Sequence, residues 1–334
     1  MGFWLSLLSR VNKNAALFAA ARAHDERQAA TLVMAGANVN ARDLSGNSLV
    51  YRAASVGDGG AVQLLVRVGA DINLPGGTRD CPLHRASAKG HAEVVRLLME
   101  LGAEVNTIGR DDRSPLHDAT EEGHEAIVDS LLAHGADVNT PNKLGYTPLH
   151  FVAHGNRATL KEAAALRGMS GVEFKWRIRK MDPSYLSIGR LLVANGAMLD
   201  AKTVEGNTPM HFAVAFGLWP IVELLVASGA DVRISNKTSE TPLHHAALLG
   251  DVRIGQLLIA HGADVNASTF RGSTPLHGAA AAGHGGMARL LLDNGASPRV
   301  RRPPVPQGLT PLDVARKSGN YAVARLLQQH ETSR

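Results

Sequence analysis

The tetrapeptide Thr147-Pro148-Leu149-His150 returns as Thr208-Pro209-Met210-His211, Thr241-Pro242-Leu243-His244 and Thr274-Pro275-Leu276-His277. It recurs in altered form as Cys81-Pro82-Leu83-His84 and Ser114-Pro115-Leu116-His117. Pro82, Pro115 and Pro148 stand 33 residues apart, and Pro209, Pro242 and Pro275 keep the same step. A fixed period of this length implies a stacked array, in which each unit can bury its apolar face only against its neighbours.

The chemistry within one period reads as two short helices. Thr is suited to an N-cap, Pro to the first helical position where its missing N–H costs nothing, and the following Leu to the core. Small pairs such as Ala246-Ala247 and Ala279-Ala280 let first helices approach closely, and Gly90, Gly123, Gly217, Gly250 and Gly283 end them. A second helix is expected to bury paired leucines, Leu97-Leu98, Leu131-Leu132, Leu224-Leu225, Leu257-Leu258 and Leu290-Leu291. Glycines such as Gly69, Gly102 and Gly229 close it, and Ala-Asp-Val-Asn-type stretches lead to a turn with Gly145, Gly206 or Gly272 at its tip, expected as a short hairpin. Aromatics are 4% of the chain against 45% hydrophobic residues, so Ala, Val and Leu must build the core.

With Thr-Pro-Leu-His, Gly-His, paired Leu and Gly-Ala-Asp-Val-Asn at this spacing, the chain resembles the ankyrin repeat family. The resemblance implies an all-α solenoid of about nine stacked helix-turn-helix units with short β-hairpin turns. It covers a degenerate first unit over Asn14 to Asp43 and later units starting near Ser45, Arg79, Asp112, Leu144, Val204, Thr238, Arg271 and Gln307. The expected organisation is an N-terminal capping segment over 1–13, the solenoid over 14–330 and a short tail over 331–334.

Fifteen histidines invite a metal or acid-base reading. However, His84, His117, His150, His211, His244 and His277 share one repeat slot, and His91, His124 and His284 share another. The resemblance implies structural roles for both sets, the first bonding within and between units. His150 and His154 have the i, i+4 spacing of a zinc pair, but no Glu or Cys accompanies them. No nucleophile elbow, phosphate loop or dinucleotide fingerprint is found, and repeats occupy almost the whole chain. The expectation is a non-enzyme without catalytic residues, cofactor or metal.

The departures from the rhythm carry the information. Pro148 to Pro209 spans 61 residues, 28 more than the period, which places an insertion at 157–184 within the fifth repeat. Its front half, from Thr159 to Gly168, reads as a capped helix. In its second half Val172, Phe174, Trp176 and Ile178 alternate with Glu173, Lys175, Arg177 and Arg179, an extended pattern with one cationic face. Three readings stay open: a loop folded back on its own solenoid, with Leu218-Trp219 as a dock; a partner-binding element using Phe174 and Trp176; and a degenerate tenth repeat.

In the family, side chains just after the His and three to four further on line an inner groove. That would place Arg85, Lys89, Asp118, Glu121 and Glu122 on the groove of units three and four. Units five to seven would place Phe151, His154, Phe212, Phe216, His245, Leu248 and Leu249 there, and unit eight only Gly278, Ala281 and Ala282. A contiguous aromatic patch on such a face marks partner binding. The alternative is that the insertion fills the groove or that inter-repeat packing buries these rings.

Two smaller features stand apart. Pro275 to Pro311 is 36 residues, and Arg299, Arg301 and Arg302 there adjoin Pro303-Pro304-Val305-Pro306, a proline-stiffened fingertip rather than a well-oriented SH3 ligand. Met1-Gly2-Phe3-Trp4-Leu5-Ser6 formally fits a myristoylation pattern that the aromatic after Gly disfavours, and Leu5, Leu7, Leu8 and Val11 are expected to cap the stack.

Net charge is +5, and its cations cluster in one insertion and one fingertip rather than along the continuous track that nucleic acid requires. The single cysteine, Cys81, points to a reducing interior, with cytoplasm ahead of nucleus, and no apolar run suggests a membrane span. The expectation is a monomeric intracellular adaptor or regulatory scaffold that binds a protein through groove and fingertips. Its alternative is a peripheral membrane or nucleic-acid regulator acting through the basic insertion or the N-terminus.

Overall fold

The computed structural model describes residues 13–154, 183–302 and 308–332. The 1–12 part of the capping segment, the insertion through residue 182 with Phe174 and Trp176, and Pro303 to Pro306 lie outside them. The chain divides into two compact units, Met1–Pro148 and Leu149–Arg334.

Each unit is a run of helix pairs. The first holds 13–22 with Glu26–Met34, Leu49–Val56 with Gly59–Arg67, Pro82–Lys89 with Ala92–Glu100, and Pro115–Glu121 with Glu125–Ala133. Helix Pro148–His154 spans the division and pairs in sequence with Pro183–Ala194, which starts two residues inside the range assigned to the insertion. Then follow Pro209–Ala215 with Trp219–Ala227, Pro242–Leu249 with Val252–Ala260, Pro275–Ala282 with Gly285–Asp293, and Pro311–Lys317 with Tyr321–Thr332. The last helix runs two residues into the stretch expected as tail. Among the described residues these make nine pairs, numbered below as repeats one to nine.

The recurrent tetrapeptide builds the joint between repeats. In repeat six, Thr208 donates its backbone N–H to His211 Nδ1 at 3.1 Å, and Thr208 Oγ1 lies 2.9 Å from the same nitrogen. The same pair of contacts joins Thr241 to His244 and Thr274 to His277. A backbone N–H can only donate, so Nδ1 must accept and the proton sits on Nε2. That proton is given to a backbone carbonyl of the following repeat: Glu240 at 3.0 Å from His211, Ser273 at 3.1 Å from His244 and Leu309 at 3.1 Å from His277. His84 and His117 reach Arg113 and Tyr146 in the same way. In repeat nine Asp313 takes the slot and accepts from Thr310 N and Oγ1 instead.

The slot after the first helix's closing glycine has two chemical solutions. Asp58 and Asp251 cap their own second helix by accepting from Ala61 N and Ile254 N. His91 and His284 instead reach back through Nε2 to the carbonyls of Ser55 and Leu248 in the preceding repeat, and Asn320 donates to Ala280 and Ala281. In repeat six the apolar Leu218 occupies the slot and is buried.

Two expectations need correction. The leucine pairs are not buried as pairs: Leu98, Leu131, Leu225, Leu258 and Leu291 are fully buried, while Leu97, Leu132, Leu224, Leu257 and Leu290 are half-exposed at the seam. Adjacent residues lie about 100° apart on a helix, so the stripe that buries one leucine of each pair leaves the other at its edge. The fingers are tight turns without a strand ladder; among the described residues one isolated bridge forms, Arg42 with Ser48. Their rigidity comes from an unexpected ladder, in which the backbone N–H groups of Asp71, Glu104, Asp137 and Ser297 donate to Asn40, Asn73, Asn106 and Asn266 of the repeat before.

Finger tips need a left-handed residue. Gly206 supplies it at φ +81°, where a Cβ would stand 2.9 Å from Lys237 N, but Arg79 and Ser239 adopt φ 72° and 60° in the equivalent slots without being glycine. That conformation costs an L-residue about 1–2 kcal/mol, partly offset because glycine gains more unfolded-state freedom. Ser239→Gly should therefore raise the urea midpoint by about 0.5–1 kcal/mol of stability, whereas Gly206→Ala should lower it.

Candidate functional site

The helix period decides which side chains the first helices leave unburied. In Pro209–Ala215, Met210, His211, Ala213 and Val214 are buried against neighbouring elements. Phe212, Ala215 and Phe216, at i, i+3 and i+4, remain on the opposite face. The same positions are Arg85, Ala88 and Lys89 in repeat three, Asp118, Glu121 and Glu122 in repeat four, and His245, Leu248 and Leu249 in repeat seven.

In the second unit this face is apolar and aromatic. The His154 ring packs on Phe212 with centroids 4.1 Å apart and on Phe216 at 5.4 Å, and His150 meets Phe212 edge-on at 6.0 Å. Phe212, Phe216 and Leu249 are half-buried, and Leu248 is 58% exposed. His245 stands edge-on to His211 at 5.8 Å, its Nε2 buried without a hydrogen-bond partner. Phe151, expected among the surface anchors, is only 8% exposed and is part of the packing. Beside this face Arg253 stacks its guanidinium 3.7 Å above the Trp219 ring.

The same face of the first unit is charged but largely neutralised from within. Arg113 binds Asp118 at 2.9 Å through Nε and pairs with Glu121 through Nη2, all three side chains being less than one-fifth exposed. Burial pushes the Asp118 carboxyl up to about 7 although Arg113 pulls it down. Glu121, expected as a free orienting charge, is thus buried in an ion cluster; Arg85 is half-buried and donates to Ser55 Oγ at 3.2 Å. Lys89 and Glu122 are exposed.

The profile described as Ankyrin repeats (3 copies) matches residues 17–108, 50–142, 83–165, 217–302 and 269–333. The chain belongs to the ankyrin repeat family. No curated protein sequence matches it. Among solved structures it is similar to the crystal structure of the human ASB11 ankyrin repeat domain, with a TM-score of 0.58 and 28% identity over 75% of this chain and 97% of that one. Ankyrin repeats are in general protein-interaction modules, and the family is typically non-catalytic.

In ankyrin terms the residues expected at the inner groove divide. His154, Phe212 and Phe216 pack together in the second unit and His245, Leu248 and Leu249 hold the same helix positions one repeat on, whereas Arg85 and Glu121 are engaged inside the first. The neutralising residue, Arg113, was missed because its slot, just before the capping Ser114, is otherwise filled by residues as different as Asn207 and Ser273. His150 Nε2 lies 3.2 Å from the Asn207 carbonyl oxygen, the same inter-repeat contact that the other tetrapeptide histidines make. Among the described residues no group of three or more His, Cys, Asp or Glu side chains could hold a metal ion, and no helix is long and apolar enough to cross a membrane.

Buried neutral imidazoles make stability depend on pH. Burial lowers the pKa values of His150, His154, His211 and His277 to about 4, and lowers those of His84, His244 and His245 as well. The unfolded chain takes up these protons near pH 6.5, so between about 6.5 and 4 it binds more protons than the folded chain. The histidine contribution is fully present above pH 6.5 and is lost as pH falls, by about 1.4 kcal/mol per unit for each group. Asp118, raised when folded, works in the opposite direction but is a single group. Urea midpoints measured from pH 7.5 down to 4.5 should fall steeply below 6.5; a flat profile would contradict the neutral-imidazole joint. A second expectation concerns the ion cluster: Arg113→Met leaves two buried carboxylates uncompensated and should cost about 3 kcal/mol by urea melt. Glu122→Gln should stay within about 0.5 kcal/mol of the parent.

Proposed function

We propose that this ankyrin protein is a non-catalytic adaptor or regulatory scaffold that holds a segment of a protein partner along the inner groove of its second unit. The observation that carries this reading is the exposed Leu248 beside half-buried Phe212, Phe216 and Leu249, on a face where folding has already satisfied its own packing through Met210, Leu243, Ala246 and Ala247. An apolar surface that the fold does not need for its core, held on rigid helices, binds with little ordering cost. Phe212 and Phe216 serve as aromatic anchors, with His154 and His245 filling the floor. Lys89 and Glu122 are exposed on the first unit. Cys81 is free and buried, and burial raises its thiol pKa, which suits an intracellular setting without requiring one compartment.

A photo-crosslinking amino acid at position 248 tests the reading against one at Arg289, exposed on a second helix. Protein crosslinks are expected from 248 and not from 289. Leu248→Asp, with an unchanged circular dichroism spectrum, should abolish crosslinking from a probe placed at Leu249. Equal crosslinking from 248 and 289, or indifference to Leu248→Asp, would sink the groove assignment.

A further inference from the structure

Beyond the apolar face the chain turns basic, with Arg299, Arg301, Arg302, Arg316 and Lys317 against Asp313, the carboxylate that Arg301 and Arg316 attract. The slot four residues after the tetrapeptide histidine runs Leu248, Ala281 and then Lys317, and the next slot runs Phe216, Leu249, Ala282 and Ser318. Repeat eight therefore offers a low floor of alanines between an apolar stretch and a basic end.

At that end, Arg302 N donates to Leu309 O at 3.2 Å and Arg301 Nη1 donates to Gly308 O at 3.0 Å, which fixes both arginines beside the start of helix Pro311–Lys317. The carboxylate of that helix, Asp313, is already engaged by Thr310 N and Oγ1 at 3.0 and 2.8 Å. Arg301 and Lys317 are exposed, and Arg302 is half-buried with its Nε lacking a hydrogen-bond partner.

The two units differ in how they treat charge. Among the described residues eight side-chain ion pairs form in the first unit, and in the second a single one, Arg233 with Asp231. Arg301, Arg302 and Lys317 belong to none. Cations that outnumber the carboxylates beside them attract a complementary anion and disfavour a basic one.

Resting on the groove reading above, we propose that the occupant is an acidic amphipathic segment of a partner protein, seating apolar side chains on Phe216, Leu248 and Leu249 and carboxylates on Arg301, Arg302 and Lys317. A nucleic acid would satisfy the cations, but its phosphates make no use of the exposed Leu248 and the alanine floor that leads to them. Lys317 continues the row of Leu248 and Ala281, and Arg301 and Arg302 stand by the start of the same helix, so a segment that follows the row meets both charge positions at its end.

Fluorescence anisotropy of the full chain with four labelled probes tests the assignment. The probes are an amphipathic peptide of about 20 residues with Leu and Phe at helical spacing among Glu, its twin with Lys for Glu, a scrambled acidic peptide of the same composition, and an oligothymidylate. The acidic amphipathic peptide is expected to bind at least about tenfold tighter than the other three. It should weaken about tenfold with the double variant Arg301→Glu, Lys317→Glu, and weaken as salt rises. Equal or tighter binding of the basic twin, of the scrambled peptide or of the oligothymidylate overturns the proposal, as does no binding by any probe or indifference to the charge reversal. Leu248→Asp separates the two readings. If it abolishes binding while charge reversal does not, the groove stands and the acidic occupant falls; if only charge reversal matters, the groove reading itself fails.

Discussion

A buried imidazole held at both nitrogens joins most of the repeats. In repeat six Nδ1 of His211 accepts from the backbone N–H of Thr208, and Nε2 donates to the Glu240 carbonyl of the next repeat. One side chain thereby caps a helix and ties two units together, and it can do so only while neutral. The joint also sets the direction of the first helix, so the face opposite the core is presented in the same orientation from repeat to repeat within a unit.

That orientation explains why the inner face can vary freely. Buried side chains of helix Pro242–Leu249, such as Leu243, Ala246 and Ala247, do most of the packing, so nothing in the fold requires the exposed Leu248 to be what it is. The first unit spends the same positions on an internal ion cluster around Arg113, and the second leaves them apolar and ends in Arg301, Arg302 and Lys317, which form no close ion pair among the described residues. Like scaffolds thus carry unlike surfaces, and a binding function rests on the difference rather than on the repeat.

Much of the fold was legible because its determinants are local. The period, the Thr-Pro start and the glycine closures each report a backbone requirement within a few residues, and the structure follows them even where Asp313 replaces histidine. The candidate face was legible in part. Phe212, Phe216, Leu248 and Leu249 could be placed by helical spacing alone. The fates of Phe151 and Glu121 could not, because spacing gives a direction and not what the direction meets: one ring is buried, and one carboxylate is taken by an arginine eight residues earlier.

The sequence by itself determined the repeat, the number of helix pairs, the structural duty of most histidines and the apolar character of the inner face in repeats five to seven. These follow from periodicity and from backbone chemistry that acts over a few residues. Tertiary structure alone decided which charges are spent and which are available. That Arg113 forms close ion pairs with two carboxylates and Lys317 with none among the described residues depends on the three-dimensional approach of side chains within and between repeats, and Coulomb attraction at those distances cannot be read from composition or spacing.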